Sequence, residues 1–315
     1  MKYRCLILMC IILAINSHAQ VHWINVDSLY RPLPSSIHVY KTTDSLDGKP
    51  NIAFYVIADL KDKNLLFNSD TSQNRRLTPS QFYTKNNHPL LVVNTSFFSF
   101  QTNQNLNIII QDKKLISYNI HTINGRGKDT FTYRHTLGSA LGIYKNRTAD
   151  IAWVYTDSLL KFAYALQFPI HPIKDSSAII NFRKTISNFK KWKVNAAIGG
   201  GPVILQNSEI KITNNEEIRF AGNAINDKHP RTVIGYTNDN KIIILVIQGR
   251  FPRIAEGATL QQEAKIMKDL GCVEAMNLDG GGSSCLLING KETIKPSDKE
   301  GQRAVPGVFI ISAKK

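Results

Sequence analysis

The sequence lacks most patterns that announce a familiar chemistry. Its eight histidines are scattered, with no His-Glu-x-x-His, no His-x-His and no cysteine cluster, so no zinc site is indicated. Neither Gly-x-x-x-x-Gly-Lys-Ser/Thr nor Gly-x-Gly-x-x-Gly occurs, which removes the two common phosphate-cradling turns that run into a helix. The nucleophile elbow is absent as well, because Gly281-Gly282-Ser283-Ser284 is followed by Cys285 instead of glycine. Cysteine is scarce: of four, Cys5 and Cys10 lie in an N-terminal apolar run, leaving Cys272 and Cys285. Those two either pair across the segment between them or are buried as thiols. Beyond that run, no stretch is long and apolar enough to cross a membrane as a helix.

The N-terminus reads as a targeting segment. Lys2 and Arg4 precede the apolar residues 5–15, and Ser17-His18-Ala19 sets small residues at the minus-three and minus-one positions of a signal-peptidase site. Residues 1–19 are therefore expected to be a cleaved signal peptide, too short for an anchor, and the protein to be exported to the periplasm or outside the cell. With 39 Lys and Arg against 24 Asp and Glu, the formal net charge is +15, of which Lys2 and Arg4 supply two. A basic exported protein suits acidic partners such as phosphate-bearing glycans, anionic surfaces or nucleic acid, and charge alone does not choose among them.

Along the chain, residues 20–50 are polar and broken by Pro32 and Pro34, which suits an edge extension. Residues 51–60 and 89–93 read as buried strands. The second ends in Asn94-Thr95-Ser96-Phe97-Phe98, which either presents Asn94 at a site floor or merely anchors a turn in the core through its two aromatics, the commoner use of such residues. Residues 105–111, before Asp112-Lys113, look like the first arm of a hairpin. Residues 140–144 with 151–155, and 233–236 with 242–247, read as two more. Ile179, Phe182, Ile186, Phe189 and Trp192 fall at helical spacing, with Arg183, Lys184, Lys190 and Lys191 largely off that line. That pattern predicts a helix with a solvated basic face over a packed apolar one, in preference to a nucleic-acid surface.

Two glycine triplets carry more. Residues 273–288 read Val-Glu-Ala-Met-Asn-Leu-Asp-Gly-Gly-Gly-Ser-Ser-Cys-Leu-Leu-Ile, a strand that delivers Asn277 and Asp279 to a turn no packing element requires. Upstream, Thr259 and Gln262 stand at capping-box spacing before Leu260, Ala264, Met267 and Leu270, with Gly271 as a stop, so a helix precedes the strand. Downstream, Asn289-Gly290 is a type I′ hairpin signal. The other triplet, Gly199-Gly200-Gly201-Pro202, feeds a strand. His229-Pro230-Arg231-Thr232 and Gln248-Gly249-Arg250 then set an arginine near each end of a strand pair, a planar fork suited to phosphate or carboxylate.

Together, Asn277-Leu278-Asp279-Gly280-Gly281-Gly282-Ser283-Ser284, Ile198-Gly199-Gly200-Gly201-Pro202, Arg231-Thr232 with Ile234-Gly235, and Asn94 with Phe97-Phe98 resemble the phosphodiester glycosidase family. The likeness runs in family order from about Leu90 to the C-terminus and includes the helix from Thr259 and the segment Arg303-Ala304-Val305-Pro306-Gly307-Val308. Asn94 is followed by Thr95-Ser96 where family members often carry two glycines or other small residues, and the segment before Leu90 bears no family motif.

The resemblance implies hydrolysis of a sugar-1-phosphodiester at its anomeric carbon, freeing the sugar and leaving a phosphomonoester, on a phosphorylated glycan or glycoconjugate. A phosphate leaves readily, so such a site must hold developing negative charge more than it needs a strong general acid. Arg231 and the N–H groups of Gly280, Gly281 and Gly282 suit that task. Asp279 is the candidate carboxylate, as nucleophile or base, and the sequence leaves the two roles open because the distance to a second carboxylate decides them. Glu274 lies an odd number of residues away and faces the other side of an extended strand. The expected substrate-binding set is Asn94, Gly199, Gly200, Gly201, Thr232, Arg250, Asn277, Gly280, Gly281, Gly282, Ser283 and Ser284, with no metal and no cofactor. The expected fold is α+β: a strand-rich mixed sheet with several hairpins, a few packed helices and an active cleft at strand ends. Residues 20–88 join or extend the glycosidase-like domain at 89–315. The competing class is a non-catalytic exported glycan- or phosphate-binding protein, in which the glycine loops hold an anion and Asp279 only orders the turn. Neither a nucleic-acid partner nor stable membrane insertion is expected.

Overall fold

Residues 242–247 are apolar without interruption, so they need cover on both faces. In the computed structural model, which describes residues 20–72, 75–125, 127–180 and 189–314, they have it. The strand Lys241–Ile247 lies inside an eight-stranded sheet, between Ala53–Asp59 and Arg231–Thr237. Cys272–Asn277 and Val203–Gln206 follow on the Arg231–Thr237 side, and Ile37–Thr42 lies beyond Ala53–Asp59. On one face Val233, Ile243, Leu245 and Ala275 pack with Ala264 and Met267 of the helix Leu260–Asp269. On the other, Ile234, Ile244, Val246 and Met276 meet Leu141, Ile151, Trp153, Leu286 and Phe309, so the central core lies between sheets.

Those partners come from two more sheets. A seven-stranded sheet includes Ala149–Asp157, Gly138–Ile143, Ala196–Gly199, Ile109–Gln111 and the edge strand Lys114–Ser117. A five-stranded sheet includes Leu286–Ile288, Leu91–Asn94, Gly307–Ala313 and Leu65–Thr71. A small three-stranded sheet completes the set. The strand-rich architecture agrees with the sequence, but the single mixed sheet does not. Every strand pair among the described residues runs antiparallel, both in hairpins such as Arg231–Thr237 with Lys241–Ile247 and between strands far apart in the chain such as Leu91–Asn94 with Gly307–Ala313.

Both expected hairpins of the middle chain form: Ala140 faces Ala152, and Ile234 faces Ile244. The helix Leu260–Asp269 opens on the Thr259/Gln262 capping box, and Asn289 and Gly290 take φ of 48° and 77° in their turn. Residues 105–108 do not join a strand as expected. Asn105 forms only an isolated bridge with Phe98 and accepts the Asn107 N–H on its side chain, a local bond that competes with the ladder, and the strand itself begins at Ile109. The basic helix is corrected in part. Residues 181–188 lie outside the described residues, while Lys190–Lys191 is a strand on Tyr164 and Ala165 and Trp192 is buried against Gly142. No described helix is long and apolar enough to cross a membrane.

Candidate active site

Register gathers the two glycine triplets. Val233 faces Asn277 and Val203 faces Met276, so the chain leaving Asn277, the chain entering at Arg231 and the chain entering through Gly199, Gly200 and Gly201 share one end of the sheet. Backbone bonds tie the three: Asn277 N–H to Pro202 O at 3.0 Å, Gly201 N–H to Asn277 O at 2.8 Å, and Leu278 N–H to Thr232 O at 2.8 Å. Asp279 comes next, its N–H donating to Thr95 O at 2.7 Å.

Each glycine of the turn after Asp279 answers to a different neighbour. A Cβ on Gly280 would lie 2.7 Å from Pro230 O, and one on Gly281, at φ 61°, 2.9 Å from Arg250 Nη2. One on Gly282 would strike Asp298 and Arg303. The Gly281 N–H donates to Pro230 O at 2.8 Å, and the Gly280 N–H faces the Asp279 carboxyl itself. The other triplet is similar: the N–H groups of Gly199, Gly200 and Gly201 go to Ile108 O, Ser139 O and Asn277 O. The triplets thus serve close backbone approach, and most of the peptide donors the sequence offered to a ligand are held within the protein.

Asn94 locks this arrangement from below. Fully buried, it donates from Nδ2 to Asp279 O at 2.6 Å, while its Oδ1 accepts from Thr232 Oγ1 at 2.9 Å and Cys285 N–H at 3.1 Å. Thr232 thereby belongs to the same clamp. Asn277 donates to Gly201 O at 3.0 Å, and its buried Oδ1 has no partner. Ser283 and Ser284 are buried; the Ser284 hydroxyl is unpartnered, and the Ser283 hydroxyl lies beside Asp279 without full hydrogen-bond geometry.

Asp279 keeps part of its surface open to solvent, yet protein surrounds it closely enough that burial raises its pKa to about 7. Ser283, Arg303, the Gly280 N–H and Arg250 oppose that rise, so the carboxyl titrates near neutrality. Arg303 is held bidentately by Asp298 at 2.7 and 2.9 Å, its guanidinium 5.3 Å from the Phe100 ring centre. Arg250 is exposed, its guanidinium against Gly281.

Arg231 is placed differently. Buried, it donates from Nε to Ala258 O at 2.8 Å and from Nη2 to Asp227 O at 2.9 Å, with Phe220 5.8 Å from its guanidinium carbon. Behind it, Glu263 is fully buried with neither carboxyl oxygen partnered; burial raises its pKa to about 8, against the pull of Arg231. Glu274 is held elsewhere, by Tyr236 Oη at 2.7 Å and Ile151 N–H at 3.2 Å.

A family model described as phosphodiester glycosidase matches residues 87–312. The chain belongs to the phosphodiester glycosidase family. Among curated relatives, the SPbeta prophage-derived uncharacterized protein YomE of Bacillus subtilis (strain 168) is 38% identical over 88 residues, 28% of this chain and 13% of that protein. The N-acetylglucosamine-1-phosphodiester alpha-N-acetylglucosaminidase of Mus musculus is 27% identical over 99 residues, 31% of this chain and 19% of that protein. Both matches therefore span less than a fifth of the relative. Among solved structures, the catalytic domain of the zebrafish N-acetylglucosamine-1-phosphodiester alpha-N-acetylglucosaminidase, auto-inhibited by its pro-peptide, superposes with a TM-score of 0.56 at 20% identity, covering 94% of this chain and 89% of that one. A hypothetical protein from Synechocystis superposes with a TM-score of 0.60 at 13% identity, covering 89% and 62%. At these identities the likeness is one of fold.

Within this phosphodiester glycosidase fold, sequence reasoning passed over three features. Arg303 stood in a quoted motif without a role. Glu217 carried no sequence signal, yet it is buried and accepts from Ser139, Trp153, Val203 N–H and Thr213 at 2.7 to 3.2 Å, directly beneath Gly201. Arg219 lies 3.5 Å from Glu217, with Phe97 5.7 Å from its guanidinium carbon.

Proposed function

We propose that this protein is a glycosidase that hydrolyses a sugar-1-phosphodiester, with Asp279 as the reacting carboxylate in a cleft at the strand ends. The observation that carries the reading is Asp279 itself: a partly open carboxyl with a pKa of about 7, under the influence of Arg250 and Arg303. Near neutrality a substantial share of it is the carboxylate, the form that attacks as a nucleophile or accepts a proton as a general base. Negative charge developing on the departing phosphate is balanced by Arg250 and Arg303, so a strong general acid is not needed. Arg231 lends its charge from beneath and holds the chain, while Asn94, Thr232 and Asn277 position the backbone around Asp279. The glycines at 199–201 and 280–282 admit the close approach, with Ser283 and Ser284 at its back.

The same reading takes the substrate as a phosphorylated glycan or glycoconjugate and the protein as exported once residues 1–19 are removed. Residues 20–88 belong to the fold, a view supported by the strands Ile37–Thr42 and Ala53–Asp59 in the sheet that carries Cys272–Asn277. The test is release of free sugar from a panel of sugar-1-phosphodiesters by the wild type, Asp279→Asn and Arg250→Ala. Arg231→Ala is the weaker discriminator, since it deletes a buried side chain that bonds the carbonyls of Ala258 and Asp227 and so threatens folding. Turnover that collapses in Asp279→Asn and falls in Arg250→Ala supports the assignment. Binding of the diesters with no turnover from folded wild type returns the protein to the non-catalytic class.

A further inference from the structure

A cavity of about 530 Å³ opens where the edge strand Lys114–Ser117 of the seven-stranded sheet meets Leu65–Thr71 and the start of Gly307–Ala313 in the five-stranded sheet. That volume falls within the roughly 300–1,000 Å³ of small-molecule sites. None of the residues placed around Asp279 lines it.

Its polar wall is made of Asn103, Gln104, Asn105, Gln111, Ser117 and Tyr118. Two amide atoms there, Asn103 Oδ1 and Asn105 Nδ2, are buried with no partner. The orientation of the Asn105 amide is fixed, because its Oδ1 accepts the Asn107 N–H at 3.0 Å, which leaves Nδ2 as an unused donor. Such groups are costly to leave unmet, and they mark a wall whose other amides and hydroxyls offer both donors and acceptors to a ligand.

Charge narrows the class of ligand. Although the chain carries a formal +15, Asp70 is the one charged side chain lining the cavity among the described residues, and it is engaged. Lys85 Nζ donates to its two oxygens at 2.8 and 2.7 Å, and Asn86 Nδ2 donates at 2.8 Å. Among the described lining residues an anionic ligand would find no free cation, and a purely apolar one would leave the amides unmet. Ile116, Ile120 and Pro306 supply an apolar flank beside the Tyr118 ring. A ring with hydroxyls on its rim and C–H groups on its faces matches both surfaces. We propose that this cavity is a binding site for an uncharged sugar unit, separate from the candidate active site and standing whether or not Asp279 is catalytic.

The experiment titrates the chain from residue 20 with glucose, galactose, mannose, N-acetylglucosamine and glucose 6-phosphate, up to about 20 mM, by ligand-observed NMR. It is repeated on Asp279→Asn, Asn105→Asp, Gln111→Ala and Tyr118→Phe, with thermal melts to certify folding. The expected result is saturable binding of at least one neutral sugar, unchanged in Asp279→Asn and weakened about tenfold in Asn105→Asp and Gln111→Ala. If Asn105→Asp does not fold, Gln111→Ala and Tyr118→Phe decide. Three outcomes overturn the proposal: no neutral sugar saturates, binding survives in every folded cavity variant, or glucose 6-phosphate outcompetes the neutral sugars in Asp279→Asn.

Discussion

The Arg250 guanidinium rests on the backbone of Gly281, so that a Cβ added at this glycine would come within 2.9 Å of Nη2. Gly281 also has φ 61°, a conformation an alanine holds only at a cost of about 1 kcal/mol. Gly281→Ala should therefore lower the thermal midpoint by only a few degrees while forcing Arg250 aside. If Arg250 stabilises the departing phosphate, the variant loses at least about tenfold in kcat, comparable to Arg250→Ala, and the two losses do not add in the double variant. A kcat unchanged in both would remove Arg250 from the site.

Asp279 links activity and stability to pH with opposite signs. Its folded pKa, about 7, lies above that of an exposed carboxyl, so the folded state binds the proton more tightly. The stability this contributes is fully present below about pH 4 and is lost as pH rises through about 7. Asp279→Asn has no proton to lose, so its melting temperature relative to wild type should rise steadily between about pH 4 and pH 8. Activity in the wild type should climb over the upper part of that window, as the carboxylate forms, and be absent from the variant. Parallel melting curves at all pH values would show that the carboxyl titrates normally.

How much of this could be read in the chain depends on the range of each interaction. Thr259 with Gln262, Asn289 with Gly290 and the apolar run at 242–247 are local patterns, and each forms the element it announces. The strand Leu65–Thr71 was not legible. Its Ser69 and Asp70 are buried, and what makes that tolerable is Ile110 O and Lys85, partners that no local pattern shows. Phe189 and Trp192 have helical spacing, but the Trp192 N–H bonds to Ala163 O and its indole to Asp150 at 2.8 Å, so tertiary pairing overrode periodicity. At the site, Asp279 and its glycines were visible because triplets of glycine are hard to explain by packing alone. Glu217 was not, since every group it accepts from except Thr213 and Val203 lies more than 60 residues away.

Glu263 offers a test confined to the interior. Its carboxyl is fully buried, unpartnered and raised to about pKa 8, so at neutral pH it is chiefly the neutral acid despite Arg231 nearby. Stability attributable to this group is present at low pH and declines as pH rises through about 8. Glu263→Gln should melt close to wild type at about pH 6 and above it at about pH 9. A variant destabilised at both pH values would mean instead that Glu263 is ionised and supports Arg231 as a charge.

Asn94 separates holding a site from touching substrate. Its single amide serves Asp279 O, Thr232 Oγ1 and the Cys285 N–H, three groups from separate stretches of chain, the last two buried. Asn94→Ala leaves all three unmet, so a loss of about 2–5 kcal/mol is expected, enough to move the melting temperature by ten degrees or so. Thr232→Val removes one of the bonds and should cost about 1 kcal/mol, with turnover largely kept. If Asn94 acts through position alone, the Asn94→Ala chain that remains folded at low temperature should show a reduced kcat with little change in KM, because the Asp279 backbone has lost its anchor. A raised KM with kcat intact would place the amide in direct contact with the sugar or its phosphate, which its present bonds leave only one N–H free to make.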